Sequence, residues 1–466
     1  MGRHTIEKIG GTSMSQFGSV METVIIGNRK PEDIYNRGFV VSAYGGITDM
    51  LLEHKKSGQP GVYRLYAAND PTWKDALSAV ANRMCQINEG FVSLGLDLAE
   101  ANRFVKERIE GIRSCLKDLR RLASYGHFQL VEQFPAVREM LSAVGEAHSA
   151  YNSTKILQHH GINALFVDLT GWMEEENLPF NEKIDQAFHD VDFSVYMPII
   201  TGYTKCAEGI MSTFDRGYSE ITFAKIAVRT KAREAVIQKE FHLSSGDPKL
   251  IGVDKVKVIG QTNYDVADQL ADMGMEAIHP RASKGLEYNN IPLRVRNAFD
   301  PDHPGTLITK DFRSESPRVE MVTGRAKMVA IEVWDPDMVG QSGYDHKVVG
   351  YLAKHGISYI GKNTNANTIT HYVSRDVPGL DACVADMRKA FEHADVNTYP
   401  MTLVSAIGSN MKVPGFLSKA ANALAEAQIN ILAIGQCMRQ VNMQFVIADE
   451  DFENAIKALH RGLVER

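Results

Sequence analysis

Along the first two thirds of the chain, short apolar runs bounded by glycine or small residues alternate with stretches of helical period. Thr5 to Ile9 and Phe39 to Ala43 are two such runs, and Gln16 to Ile26 between them is periodic enough for a helix, which predicts a β-α-β opening. Ala164 to Leu169, Val195 to Ile200, Ala224 to Thr230, Val256 to Ile259 and Pro292 to Arg296 predict further buried strands with helical patterns between them. An open, largely parallel α/β sheet is expected. From about Ala76 to Leu157 the pattern is almost purely helical, with Pro135 as its one proline, and reads as helices added to the sheet.

The final third repeats itself. Gly343-Tyr344 and Leu352 to Ile360 match Gly415-Phe416 and Leu424 to Leu432 without a gap, at an offset of 72 residues. Each copy starts on a strand, Met328 to Val333 or Thr402 to Ile407, and passes through a glycine-bearing loop into an amphipathic helix. A strand and a hairpin-like segment follow, so two copies of a small α+β module are predicted. Between sheet and repeat, Asp300 to Arg318 turns polar and carries Pro301, Pro304 and Pro317, which suits a linker.

Composition narrows the class. At 466 residues the chain exceeds what one core supports and suggests about three units. A hydrophobic fraction of 44% and a charged fraction of 23% are those of a globular protein and exclude the disordered and fibrous classes. The net charge of −6, with no block of lysine or arginine, gives no footprint for nucleic acid or for an anionic membrane. With no transmembrane run and no secretory signal, the cytoplasm is the expected compartment. Cys85, Cys115, Cys206, Cys383 and Cys437 agree, being scattered thiols with neither a disulfide framework nor a C-x-x-C pair.

Lys8 to Ser13 read K-I-G-G-T-S. Paired glycines let backbone N–H groups approach an anion, and Lys8, Thr12 and Ser13 add a charge and two hydroxyls. The lysine precedes the glycines, so this is not a Walker A loop, and alone the cluster is more often a strand end and a tight turn. Val40 to Asp49, V-V-S-A-Y-G-G-I-T-D, brings a second glycine pair and more hydroxyls to the end of the second strand. Ligands of open parallel sheets sit at such carboxyl ends, so two of these turns on one rim favour the phosphate reading. Glu146, in Val144-Gly145-Glu146, lies in the helical region, where a glutamate ordinarily faces solvent. Asp215-Arg216-Gly217-Tyr218-Ser219-Glu220 sets an arginine, a hydroxyl and two carboxylates around a glycine before a helix, as either an anion site or a helix cap. His279-Pro280-Arg281 reads as a structural step at a strand end.

With these motifs in order, the chain resembles the aspartate kinase family of the amino-acid kinase superfamily. K-I-G-G-T-S is similar to the family's K-F-G-G-T-S, V-V-S-A-Y-G-G-I-T-D to its second-strand motif, V-G-E to its helical glutamate motif, and G-M-E-A-I-H-P-R-A to G-A-K-V-L-H-P. F-D-R-G-Y-S-E, T-K-A-R-E-A, F-H-L-S-S-x-D-P-K and N-Y-D-V-A-D-Q-L look like the branch associated with ectoine biosynthesis. The resemblance implies an α/β fold: an amino-acid kinase (carbamate kinase-like) open α/β/α sandwich followed by two α+β ACT modules. The expected divisions are 1–310 for the catalytic domain, 311–322 for the linker, and 323–395 and 396–466 for two ACT domains that can interleave.

The implied reaction is ATP-dependent phosphorylation of the β-carboxylate of L-aspartate to 4-phospho-L-aspartate, the first step toward the aspartate-derived amino acids and ectoine. That carboxylate has an ordinary pKa of about 4 and is already ionised, so catalysis needs positioning and charge neutralisation but no general base. By resemblance, Lys8 stabilises the transferring phosphoryl group, Glu220 orients Lys8, and Gly10, Gly11 and Ser13 bind phosphate. Arg216 and Glu146 take the substrate's α-carboxylate and α-ammonium, Ser42 and Thr48 line the aspartate pocket, and Thr230, Lys231 and Lys249 meet the nucleotide. Mg2+ is implied with ATP, but no motif names metal ligands. Glu220 is one methylene longer than the usual aspartate, Lys231 replaces a usual aspartate and Glu276 a usual lysine, which together read as a rewired nucleotide pocket. The competing readings are another amino-acid kinase and a non-catalytic ACT-domain sensor.

The ACT pair implies a homodimer and feedback by an amino acid, threonine or lysine. Lysine-sensitive members place acidic groups after the first ACT helix, where this chain has Ile360 and Ala366, neither able to pair with an ammonium group. Inhibition of kinase activity by lysine alone is therefore expected to be weak or absent. Half-maximal inhibition of the purified protein at micromolar lysine would refute this.

Overall fold

The computed structural model describes residues 2–465 apart from 28, 56, 215–216 and 276–277. The chain forms two compact units, Met1–His242 with Ile278–Thr309 and Leu243–Ala277 with Lys310–Arg466. No helix among the described residues is long and apolar enough to cross a membrane.

The first unit is built on β1 (Thr5–Ile9), β2 (Arg37–Val41), β3 (Ala164–Val167), β4 (Met197–Thr201), β5 (Glu234–Lys239), β7 (Leu293–Asn297) and β8 (Thr306–Thr309), while β6 (Gln261–Asn263) belongs to the second unit. The order is β3-β4-β2-β1-β5-β7-β8. All neighbours are parallel except β7 and β8. Central strands such as β2 are buried on both faces, as a parallel sheet covered by helices requires. The chain leaves β1 toward β2 on one side and later returns to β5 on the other, so the strand order reverses at β1. The carboxyl ends of β1, β2 and β5 therefore open on a shared crevice.

The predicted helical region is three helices, Trp73–Gly90, Leu98–Ser124 and Phe134–His159. Three local expectations are corrected. Ala224 to Thr230 is not a strand but the end of the helix Tyr218–Arg229 and its cap. That helix is wedged between the sheet and the helices Phe180–Phe188 and Pro280–Tyr288, so it is apolar on several sides and its run carries no clean period. Val256 to Ile259 makes a single bridge, Val258 to Ser244, and is not a strand. Gln16 to Ile26 breaks into a short helix, Phe17–Val20, and a π turn, Met21–Ile25, whose Val24 and Ile25 carbonyls accept from Arg37 at 2.8 and 3.0 Å.

Arg37 joins that turn to the middle of the sheet. Its Nε donates to Glu7 Oε1 at 2.6 Å, and Gln238 Nε2 donates to Glu7 Oε2 at 2.9 Å, all of it buried. Burial pushes the Glu7 carboxyl up, but Arg37 and Gln238 outweigh burial and hold it below its ordinary value.

In the second unit the 72-residue offset holds to the residue at the helices, Tyr344–Lys354 and Phe416–Glu426, each preceded by a glycine at positive φ, Gly343 (78°) and Gly415 (97°). β10 (Tyr359–Thr364), β11 (Thr368–Ser374) and the helix Leu380–Ala390 are repeated as β13 (Ala433–Gln436), β14 (Asn442–Ile447) and the helix Phe452–Leu463. The modules interleave through β9 (Met321–Trp334) and β12 (Asp395–Ile407), which pair along their whole lengths. β11 pairs with the second half of β9, and β14 with the second half of β12. Val322, from the first half of β9, accordingly packs in the second module's core with Val404, Leu424 and Phe445. Val329, Ile331 and Val333 belong to the first module's core. The change of core falls at a register shift between Met401 and Leu403, beside Lys327 at φ 58°.

Removing one partner of a buried ion pair strands the other's charge. Arg37→Leu is expected to destabilise the first unit by about 3–5 kcal/mol, while Glu7→Leu/Arg37→Leu recovers most of that loss. Denaturant titration of the three proteins measures both.

Candidate active site

Two glycine turns meet at the carboxyl ends of β1 and β2. A Cβ on Gly11 would stand 2.6 Å from the Ala43 carbonyl oxygen, so only glycine permits this approach. The Gly45 N–H donates to Ser15 Oγ at 2.9 Å, and that hydroxyl donates to the Gly11 carbonyl at 3.1 Å. Gly10 faces open space, and the short helix Gly11–Met14 begins with no side-chain cap. Ser42 is pinned through its backbone, its N–H on the Ile9 carbonyl and its own carbonyl accepting from Ser149 Oγ at 2.8 Å. Among the described residues neither the Ser42 nor the Thr48 hydroxyl has a partner, and both residues are half-buried at the rim.

Lys8 lies one residue from the end of β1 and meets Glu220, in the first turn of the helix Tyr218–Arg229, at 3.3 Å from Nζ to Oε1. The same oxygen lies 4.0 Å from Lys239 Nζ at the end of β5, and the His279 N–H donates to Glu220 Oε2 at 2.5 Å. Burial pushes the Glu220 carboxyl up, but Lys8, Lys239 and the His279 N–H outweigh it and hold it below the ordinary range. It is therefore a permanent counter-ion. The fully buried Ser13 donates its hydroxyl to Glu240 Oε1 at 3.0 Å.

Glu146 has the opposite surroundings. Gly145 brings its helix against the second turn, since a Cβ there would be 2.8 Å from Ala43 Cβ and 3.0 Å from Ile47 Cγ2. The next residue then points inward rather than to solvent. Ser219 Oγ donates to Glu146 Oε1 at 2.7 Å, while Oε2 is buried without a hydrogen-bond partner. Burial pushes this carboxyl up to about 8, against smaller opposing effects of Ser219 and the Lys8 charge. A buried carboxyl with one oxygen unspent, within the field of a lysine, is suited to a cationic group of a ligand.

The fold thus brings Lys8, Gly10, Gly11, Glu146 and Glu220 into one unit with the Ser42 and Thr48 rim. Arg216, with Asp215 and Glu276, lies outside the described residues. Thr230 and Lys231 are corrected away from this rim. Glu220 and Thr230 are separated by about 15 Å of helix, and Thr230 Oγ1 meets His4 Nε2 at 2.8 Å, just before β1 begins. Lys249 lies in the second unit, where its N–H donates to Asp247 Oδ1 at 2.8 Å. Lys239 and Glu240 are residues the sequence reading missed, and Ser219 stood in its motif without a role of its own. The first two follow a strand placed ten residues too early, at 224–230, so they were not expected at a strand's carboxyl end. His279 caps the helix Pro280–Tyr288 and contributes its N–H, not its ring, to Glu220.

The sequence model of the amino acid kinase family matches residues 4–297, and that of an ACT domain matches residues 404–463. Aspartate kinase Ask_Ect of Stutzerimonas stutzeri (strain A1501) is 51% identical over 464 residues, covering 99% of this chain and 98% of that protein. The solved structure of E. coli aspartokinase III in complex with aspartate and ADP matches 99% of this chain and 100% of its own with a TM-score of 0.73 at 20% identity. That of Clostridium acetobutylicum aspartate kinase matches 98% and 100% with a TM-score of 0.74 at 19% identity. The two structures share the fold.

Glu146 is expected to titrate far above an ordinary glutamate in the ligand-free protein, near 8. Ser219→Ala, which removes the 2.7 Å hydrogen bond to Oε1, moves it higher still. Carboxyl 13C shifts of glutamate-labelled protein followed through a pH series read both, and a Glu146 midpoint in the ordinary range near 4 would overturn the assignment.

Proposed function

The chain belongs to the amino acid kinase family and is an aspartate kinase, an α/β kinase domain with a C-terminal ACT region, and from that premise we propose how its rim residues work. The reaction moves the γ-phosphoryl group of ATP to the side-chain carboxylate of L-aspartate, leaving ADP. The relative at 51% identity also supports the ectoine-associated branch.

The observation that carries the site reading is the unspent Oε2 of buried Glu146, beside the Lys8–Glu220 pair. The α-ammonium of aspartate is the cation that fits it. On binding, the ammonium drives Glu146 to its ionised form, and an ion pair out of water replaces a buried neutral acid. Ser42 and Thr48 offer hydroxyls to the substrate's carboxylates, and Arg216 is assigned the α-carboxylate by resemblance. The attacking carboxylate is ionised at neutral pH, so no residue has to remove a proton. Lys8, kept in place by Glu220, neutralises charge on the transferring group, and the uncapped turn at Gly10 and Gly11 offers backbone N–H groups to phosphate oxygens. Lys249 remains a nucleotide contact by resemblance alone.

Among the described residues no group of three or more His, Cys, Asp or Glu side chains could hold a metal ion. Magnesium is read as arriving on the nucleotide, where it would neutralise phosphate charge, and no protein ligand is assigned to it. The interleaved modules of the second unit are read as the ACT pair through which the chain forms a homodimer and senses an amino acid, threonine before lysine given Ile360 and Ala366.

With ATP, magnesium and aspartate, the purified protein should form an acyl phosphate that hydroxylamine traps, and Lys8→Ala should lower kcat by about a hundredfold or more. The KM for aspartate should fall as pH rises toward 8, because Glu146 must lose its proton to hold the ammonium. Glu146→Gln should raise that KM and flatten its pH dependence. Absence of hydroxamate from the folded wild-type protein at millimolar substrates would overturn the reading.

A further inference from the structure

Glu139 and Glu146 stand seven residues apart in the helix Phe134–His159, and so share one of its faces. Both Glu139 oxygens are taken by the segment that follows β4. Oε2 accepts from the hydroxyl of buried Tyr203 at 2.7 Å, and Oε1 accepts from the Met211 and Ser212 N–H groups at 2.8 and 3.2 Å and from Ser212 Oγ at 3.3 Å. Those N–H groups open the short helix Ile210–Phe214, and the residue before it is Gly209, at φ 70°, which has no side chain to cap it. A carboxylate from another helix therefore holds this turn. The ends of the same stretch of chain lie on Glu146. A Cβ on Gly202 would stand 3.0 Å from both Glu146 oxygens and 2.9 Å from Ser219 Cβ. Ser219 Oγ donates to Glu146 Oε1 at 2.7 Å, and the Tyr203 N–H pulls the same carboxyl down against burial. Tyr203 thus joins the two glutamates, one through its backbone and the other through its hydroxyl.

We propose that Glu139 is a positioning residue for the ammonium site of the kinase: by fixing the segment from Tyr203 to Ser212, it sets where Gly202, Tyr203 and Ser219 meet the Glu146 carboxyl and so how that carboxyl receives the substrate's cation. The inference rests on the kinase reading above. Glu139 uses its oxygens inside the protein and acts only through this segment. There is little slack for it to act on. A shift of about 0.5 Å would carry the Ser219 bond beyond the usual O–H···O range. The glycine turns after β1 and β2 are tied separately, through Ser15 and Ser149, so the phosphate side of the site does not depend on Glu139.

The test compares Glu139→Leu with Glu139→Gln in the full chain. Both variants remove the charge, but the glutamine keeps an oxygen for the Met211 and Ser212 N–H groups, so the difference between them reads the hydrogen bonds. Glu139→Leu is expected to raise the KM for aspartate about tenfold or more and to leave the KM for ATP within about twofold, while Glu139→Gln stays close to wild type. Tyr203→Phe removes the hydroxyl arm alone. It should raise the same KM by a smaller factor, and it carries the test if Glu139→Leu does not fold. In the ligand-free protein, carboxyl 13C titration should place the Glu146 midpoint higher in Glu139→Leu than in Glu139→Gln. The donors at Tyr203 and Ser219 are then loosened, while Lys8 on β1 and Tyr218 on its own helix still face the carboxyl. An unchanged KM for aspartate, an equal rise in both KM values, or a Glu139→Gln as impaired as Glu139→Leu would overturn the proposal. So would equal Glu146 midpoints in the two variants. Wild-type protein that yields no hydroxamate, with the two midpoints still apart, would defeat the kinase reading and leave the positioning inference standing.

Discussion

Burial raises the pKa of any carboxyl, so the state of each buried glutamate at this rim is decided by what the fold sets beside it. Glu220 has two lysines and a backbone N–H and stays ionised, whereas around Glu146 burial outweighs the Ser219 hydroxyl, the Lys8 charge, the Tyr203 N–H and Tyr218 and lifts it to about 8. The two are coupled through one helical turn. Ser219, which donates to Glu146, directly precedes Glu220 in the first turn of the helix Tyr218–Arg229. Where that turn sits therefore fixes both environments at once. Carboxyls driven apart in this way can carry separate tasks in one site, a permanent counter-ion and a group that becomes charged only when a cation arrives.

That turn has to be met from the other side, and backbone-close packing does this. Gly11 lies against the Ala43 carbonyl, and Gly145 lets the long helix Phe134–His159 lie against Ala43 and Ile47. The turn from Ser42 to Thr48 is thus clamped between strand end and helix, which holds its hydroxyls at the rim. In Val144-Gly145-Glu146 the glycine serves docking and the glutamate serves chemistry. Without the close approach at 145, a glutamate at 146 would have no reason to be buried.

The parts of this arrangement that were legible in sequence are those where a short motif and its backbone need coincide. The glycine turns after β1 and β2, Lys8, Glu146 and Glu220 were readable because glycine pairs, hydroxyls and charges stand next to each other in the chain. The repeat was readable because its helices recur at one offset. Lys239 and Glu240 were not, since they depend on where β5 ends. The helix before it, buried on several sides, looked like a strand, which moved the expected strand ten residues and drew attention to Thr230 and Lys231 at the opposite edge. The long strands β9 and β12 were each read as half their length for a related reason. Their apolar alternation changes core at the bulge beside Lys327, and a pattern that breaks there looks like a strand end.

The glutamate at 220, where the family usually has aspartate, follows from the same geometry. Lys8 and Lys239 leave strands about 4.8 Å apart, and one carboxylate from the helix above has to reach the space between them while its other oxygen meets the His279 N–H. An aspartate on the same backbone would draw the carboxylate back by roughly one C–C bond, about 1.5 Å. From 3.3 and 4.0 Å that retreat removes the Lys239 contact altogether and stretches the Lys8 contact beyond a hydrogen bond. An aspartate suffices where a single lysine has to be held. The additional methylene is what lets one carboxylate reach the second lysine on β5 as well as Lys8.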